Sequence, residues 1–416
     1  MPTGKRQHFL DGSSSQIELE EGRTVAGRAT ENHIGGLDGL RAVAALAVFG
    51  VHFNQVAGLE AQLGPIDVAR VLARGDHGVL LFFTLSGFLL SQPYWRALAA
   101  GDALPDLRVY ALRRAARIVP AYYVVLTALI LASGIWRVPA AMPDLLLHYV
   151  FAFNYTEFSI FSINPPFWTL AVEMQFYLLL PLLFMGLHYL NPNRVLASIL
   201  TLCAVAYASH YWLVTSIDRI VEWPFNPWLT WIRPYGAVLT HSLLAHLPHF
   251  LFGVAAGWAF TGTLAAAQPT SRRSEVANEV LFWLCAALAS LLVVTGLGER
   301  VGVPFGRYGF PVVPALVAIM ILAAPQSRFA RTCLESAPLR LTGVISYGIY
   351  IYHVPCLNIV DRIMLNAGFD APDHWMMFGG AGLGLTLIAA TLSYLVIERP
   401  VLRLVRKYHR TGASSS

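Results

Sequence analysis

Ten apolar runs, each about 17–23 residues long, constrain this chain more than any other feature. They lie near 39–58, 77–95, 117–136, 167–189, 195–215, 242–262, 277–297, 308–324, 342–363 and 376–397. An α-helix rises roughly 1.5 Å per residue, so such runs can cross a hydrocarbon core about 30 Å thick. Inside lipid the backbone must satisfy its own hydrogen bonds, which leaves the helix as the form open to them. The eighth run is the weakest, because Pro311 and Pro314 interrupt its start. Charged residues make up 13 % of the chain and AVILMFWYC 56 %. A soluble body could not hide that much apolar side chain behind so little charge, and a disordered chain is excluded for the same reason. The expected fold class is all-α: a polytopic membrane bundle of about ten transmembrane helices.

Charge placement sets the expected topology. With the N-terminus in the cytoplasm, 21 of the 29 Lys and Arg fall on inner segments and 8 on outer ones. This asymmetry favours an even number of spans with both termini cytoplasmic. It also accounts for the net charge of +5 without a nucleic-acid partner; membrane lipids are the expected surroundings. Residues 1–35 read as a disordered cytoplasmic tail with an acidic cluster at Glu18, Glu20 and Glu21, too long and acidic for a signal peptide. Residues 36–403 form the membrane domain, and 404–416 read as a basic cytoplasmic tail. Trp223, Trp228 and Trp231, interleaved with Pro224, Pro227 and Pro234, suit an interfacial aromatic belt or a lip that stacks sugars. The four cysteines are singletons and imply neither disulfides nor zinc.

Ionisable groups inside spans are costly and mark functional candidates. Arg41 and His52 are eleven residues apart on the first run, so they face nearly the same way, about 16 Å apart along the axis. Arg41 then sits at the inner rim and His52 near mid-bilayer. Asp38, three residues before Arg41, can cap the helix or pair with the guanidinium. Arg113, Arg114 and Arg117 open the third run and are expected to form one cationic end suited to phosphates. Glu173 lies two turns inside the fourth run, and His353 on the ninth reaches mid-bilayer like His52. Glu398 ends the last run beside Arg399, an expected surface ion pair. His241, His246 and His249 lack carboxylate or thiolate neighbours in sequence, and no metal site is expected.

These residues sit in stretches that resemble the acyltransferase-3 family of integral membrane O-acyltransferases, from about 36 to 403. Leu37-Asp38-Gly39-Leu40-Arg41 through His52 is similar to the family's opening with its R-x10-H motif. Gly78 to Leu89 is similar to its second-span signature, with Leu80 where an acidic residue is usual. Arg114-Ala115-Ala116-Arg117 matches R-x-x-R. Trp168 to Tyr177 resembles W-(S/T)-L-x-V-E-x-Q-F-Y, with Met174 where a second glutamate is common. Ser346 to Pro355 resembles S-Y-x-x-Y-x-x-H-x-P, and Glu398-Arg399-Pro400 the usual ending.

The resemblance implies an acyl-CoA-dependent enzyme of a bacterial cytoplasmic membrane. It would move an acyl group, commonly acetyl, from cytoplasmic acyl-CoA to a hydroxyl of a sugar, glycolipid or other glycoside of the cell envelope. Arg41, Arg113, Arg114 and Arg117 would hold the CoA phosphates. His52 would act as general base or as a covalent acyl carrier. Glu173 and His353 are candidates for orienting His52 or the acceptor, and Ser86 for bonding the oxyanion or for packing. A transporter or lipid flippase that uses the mid-membrane His and Glu as a proton relay is the competing reading.

Overall fold

The computed structural model describes residues 34–64, 66–221, 236–265, 272–296 and 311–413. Each apolar run holds a helix. The helices are α1 (Leu37–Ala57), α2 (His77–Ala100), α3 (Leu107–Ser133), α4 (Trp168–Leu187) and α5 (Pro192–Val221). They continue as α6 (Leu243–Ala265), α7 (Arg272–Thr295), α8 (Val312–Ala323), α9 (Ser346–Asn366), α10 (Trp375–Ser393) and α11 (Arg399–Ala413). A two-residue antiparallel ribbon, Gln62–Leu63 against Ile66–Asp67, is the strand structure among the described residues.

Among the described residues, six segments are long and apolar enough to cross a membrane: Leu37–Ala57, Leu107–Ser133, Pro165–Leu187, Gly236–Gly262, Arg272–Thr295 and Trp375–Lys407. Two bent pairs bring the number to eight if each is counted as one span. Val312–Gln326 turns by 96° into Arg328–Leu334, and Ala337–Val344 turns by 77° into Ser346–Asn366. A bend near Ile345 therefore interrupts the ninth run, while the helix of the eighth run ends at a bend just beyond it, at Ser327. The helices of the second and fifth runs are not among these segments. In α2 the polar residues are shielded by α6: Gln92 Nε2 donates to the Gly257 carbonyl at 3.3 Å and Trp95 Nε1 to that of Val254 at 2.8 Å.

Small residues let these helices touch. A Cβ at Gly87 would overlap the Phe250 carbonyl oxygen, and one at Gly253 that of Thr84. Without a hydrophobic drive between helices in lipid, such close backbone approach is a main source of association. The core joins Phe83, Tyr122, Phe167, Phe176, Leu180 and Phe250 from α2, α3, α4, α6 and the approach to α4.

The segment 404–413, expected as a tail, continues α11 as helix. The acidic N-terminal cluster and the 223–234 aromatic loop lie outside the described residues.

Candidate functional site

His52 projects from α1 towards α9, where it meets His353. The Nδ1 of His52 is 3.1 Å from Nε2 of His353, with ring centroids 4.8 Å apart at 63°. His353 is 1 % exposed and His52 is partly exposed. Backbone carbonyls one turn earlier fix both rings: Val48 lies 2.9 Å from His52 Nδ1, and Ile349 lies 3.1 Å from His353 Nδ1. A carbonyl only accepts, so both Nδ1 atoms carry the proton. His353 Nε2 is then a lone pair and accepts from His52 Nδ1–H, a proton shared with Val48. The remaining nitrogen, His52 Nε2, is left with its lone pair outward from the pair. This is the arrangement of an oriented base.

The Pro355 of α9 explains how His353 is held. Proline has no N–H, so the carbonyl of Ile351 loses its helical partner. Asn164, 2 % exposed and just before α4, donates its Nδ2 to that carbonyl at 3.2 Å. One turn back, Tyr350 donates to the Pro166 carbonyl at 3.0 Å and accepts from the Thr169 hydroxyl at 2.7 Å. Its ring stands 5.9 Å from that of His353. Tyr347 donates to the Ile118 carbonyl at 2.7 Å, tying α9 to α3.

Glu173 lies one turn beyond Thr169 on α4. It accepts from Ser86 Oγ at 2.8 Å and from the Tyr177 hydroxyl at 2.5 Å. Its hydrogen bonds go to these two hydroxyls and not to His52. Ser86 is correspondingly occupied, anchoring the carboxylate rather than waiting for an oxyanion. Arg41 pairs with Asp38 at 3.7 Å and lies within electrostatic reach of Glu173, Tyr177 and Arg117.

The three arginines of α3 part company. Arg113 is exposed, while Arg114 and Arg117 are partly buried. Arg114 lies within electrostatic reach of Tyr94, Tyr110 and Tyr177. Arg117 pairs with Glu398 at 3.6 Å, and that carboxylate is 1 % exposed. The expected single cationic end is therefore three separate environments. The expected Glu398–Arg399 surface pair is also corrected. A π turn over Tyr394–Glu398 joins α10 to α11, and its wider turn aims Glu398 inwards while Arg399 stays exposed.

The structure thus brings His52 to His353 between α1 and α9, and leaves Arg41 within electrostatic reach of Glu173 and Arg117. It separates Glu173 from direct contact with the imidazoles, and Arg113 from the interior. Asn164, Thr169, Tyr177, Tyr347 and Tyr350 complete the arrangement; the motifs contain the last four without giving them a role, and Asn164 lies outside them. The spacing of Tyr347, Tyr350 and His353, three apart along one helix face, was the available signal. His241 and His246 pack against the Trp168 ring at 4.5 and 5.0 Å. Among the described residues no three His, Cys, Asp or Glu converge as a metal site.

Over 392 residues the chain is 25 % identical to the peptidoglycan O-acetyltransferase OatA of Listeria monocytogenes, a match that covers 90 % of this chain and 56 % of that protein. It is 24 % identical over 398 residues to the O-acetyltransferase OatA of Staphylococcus aureus, covering 89 % and 57 %. The chain spans about half the length of these relatives. No solved structure matches. The profile of the acyltransferase-3 family, described as an acyltransferase domain, matches residues 34–395. With that profile running from the first described residues through α10, the chain belongs to the acyltransferase-3 family.

Proposed function

We propose that this protein transfers an acyl group, acetyl in the first instance, from cytoplasmic acyl-CoA to a sugar hydroxyl of the bacterial cell envelope. The reading takes ten spans, both termini in the cytoplasm and the plasma membrane as the setting. The observation that carries it is the His52–His353 pair, which leaves His52 Nε2 as a lone pair fixed in direction. The peptidoglycan O-acetyltransferase among its relatives supports a glycan acceptor.

In this mechanism Arg41, Arg114 and Arg117 receive the donor's phosphates, with the exposed Arg113 at the outer edge of the entrance. The narrow pantetheine arm reaches towards mid-bilayer and brings the thioester to His52. His52 Nε2 takes the proton of the acceptor hydroxyl as its oxygen attacks the thioester carbonyl. The imidazolium keeps its Nδ1–H bonded to His353 Nε2. When the tetrahedral intermediate collapses, the C–S bond breaks and the thiolate takes the proton back from Nε2. The products are the acyl ester and free CoA. If the acyl group first rests on the ring, the same nitrogen carries it. Glu173 acts at a distance, as a half-buried carboxyl group within electrostatic reach of Arg41.

The test is acyl turnover by detergent-purified protein supplied with acetyl-CoA and candidate glycans, read by mass spectrometry of the acceptor. Turnover that falls by about 10²-fold or more in His52→Ala is expected for loss of a general base. A His52→Ala protein with full transfer activity rejects the assignment. Proton movement across vesicles with no acyl transfer would favour the transporter reading.

A further inference from the structure

The last turns of α2, the first turns of α3 and the second half of α4 meet around three polar atoms that no group of the protein hydrogen-bonds. The hydroxyls of Tyr94 and Tyr110 and the Nε of Arg114 are all buried without a hydrogen-bond partner. Tyr94 is 1 % exposed. The two tyrosine rings meet edge to face, 6.0 Å between centroids, and Phe184 stacks on Tyr94 at 4.8 Å. Arg114 lies within electrostatic reach of both phenols. The nearby hydroxyl of Tyr177 is different: it is already committed to Glu173. A buried polar group left unpaired is destabilising, and native interiors rarely gather three in one place.

The chemistry of the set defines its occupant. A guanidinium N–H donates, and two phenol O–H groups can donate beside it, so the three together suit an acceptor that carries negative charge and several lone pairs. A tetrahedral phosphate has that character; a neutral sugar or an acyl chain does not. Tyr110 and Arg114 stand four residues apart on α3, so they lie on the same side of that helix.

We infer that Tyr94, Tyr110 and Arg114 form a phosphate subsite that grips the nucleotide end of the acyl donor, a deepening that rests on the acyl-CoA reading above. The three atoms are covered in this conformation, so the phosphate enters as the partly exposed Arg114 side chain swings aside. The two tyrosines give the entrance a directional grip that a cationic surface alone would lack.

The experiment is thermal unfolding of the purified protein with three probes: CoA, inorganic pyrophosphate and dioctanoyl phosphatidate. The wild type is compared with Tyr94→Phe, Tyr110→Phe and the double variant. Removing an unpaired hydroxyl leaves the ligand-free protein at least as stable, so folding does not confound the result. CoA and pyrophosphate should raise the wild-type melting temperature. Both shifts should shrink in each single variant and vanish in the double, with the donor KM rising by about tenfold per hydroxyl. Equal shifts in the wild type and the double variant overturn the subsite and leave the donor reading intact. A shift with phosphatidate alone overturns the donor assignment and gives the site to a lipid headgroup. No shift with any probe means that the groups enclose no phosphate, and overturns the subsite; acetyl-CoA turnover in the same preparation then decides the donor reading separately.

Discussion

His353 Nε2 stands 3.1 Å from His52 Nδ1, and the two rings come from helices 301 residues apart in the chain. The contact fixes which nitrogen of His52 is free to take a proton. His353 is therefore a positioning residue in the proposed chemistry, acting through His52. His353→Ala should lower kcat by about 10²-fold, within the range of an impaired general base. His353→Gln should recover part of that loss, because an amide oxygen can still accept from Nδ1–H. A purely structural role for His353 would lower the melting temperature of both variants without separating their kcat values.

Asn164 and Pro355 give a second test. Asn164 supplies the donor that Pro355 withholds from the Ile351 carbonyl. Asn164→Ala should cost about 1–3 kcal/mol, the penalty for a buried acceptor left unpaired. Adding Pro355→Ala restores a backbone N–H at that position, so the double variant should be more stable than Asn164→Ala alone. The measurement is unfolding in detergent. If Pro355→Ala gives no rescue, the carbonyl is not the reason for Asn164.

How far the sequence reaches is clear from particular residues. Helical arithmetic put Arg41 and His52 on one side of α1; the structure pairs Arg41 with Asp38 of the same helix and His52 with His353 of α9. The apolar runs marked ten helices because the pattern is local. The bend at Ile345 was not legible, since it depends on where another helix presses: a Cβ on Gly343 would strike the backbone of Asp38. The partner of Glu398 was missed because one π turn shifts the helix register and points the carboxylate inwards. Asn164 was missed because its partner lies 187 residues away.

The Arg117–Glu398 pair should be strongly non-additive. Glu398 is 1 % exposed, so Arg117→Ala strands a buried carboxylate. Breaking one side of such a pair costs about 3–5 kcal/mol. Glu398→Gln removes the charge that would be stranded, so Arg117→Ala should cost much less in that background. A double-mutant cycle on unfolding free energies measures the coupling. Additive effects would show that the two groups do not depend on each other.

His148, in the short helix Met142–Tyr149, gives a pH dependence outside the spanning helices. It is 1 % exposed and stacks on Phe153 at 4.1 Å, with rings 3° from parallel. Its Nδ1 lies 3.1 Å from Asp144 Oδ1, and Ser162 Oγ donates to the same carboxylate oxygen at 3.0 Å. Burial holds the imidazole below its ordinary value of 6.5, against the pull of Asp144. The unfolded chain therefore binds this proton more readily than the folded one. Stability rises with pH wherever the unfolded state holds more protons. The contribution is fully present above pH 6.5 and is lost as pH falls from there through the depressed folded value. His148→Gln has no proton to gain, so its stability should change less between about pH 7.5 and about pH 5, an interval that crosses the unfolded value. Equal pH slopes for the wild type and His148→Gln would place the acid sensitivity elsewhere.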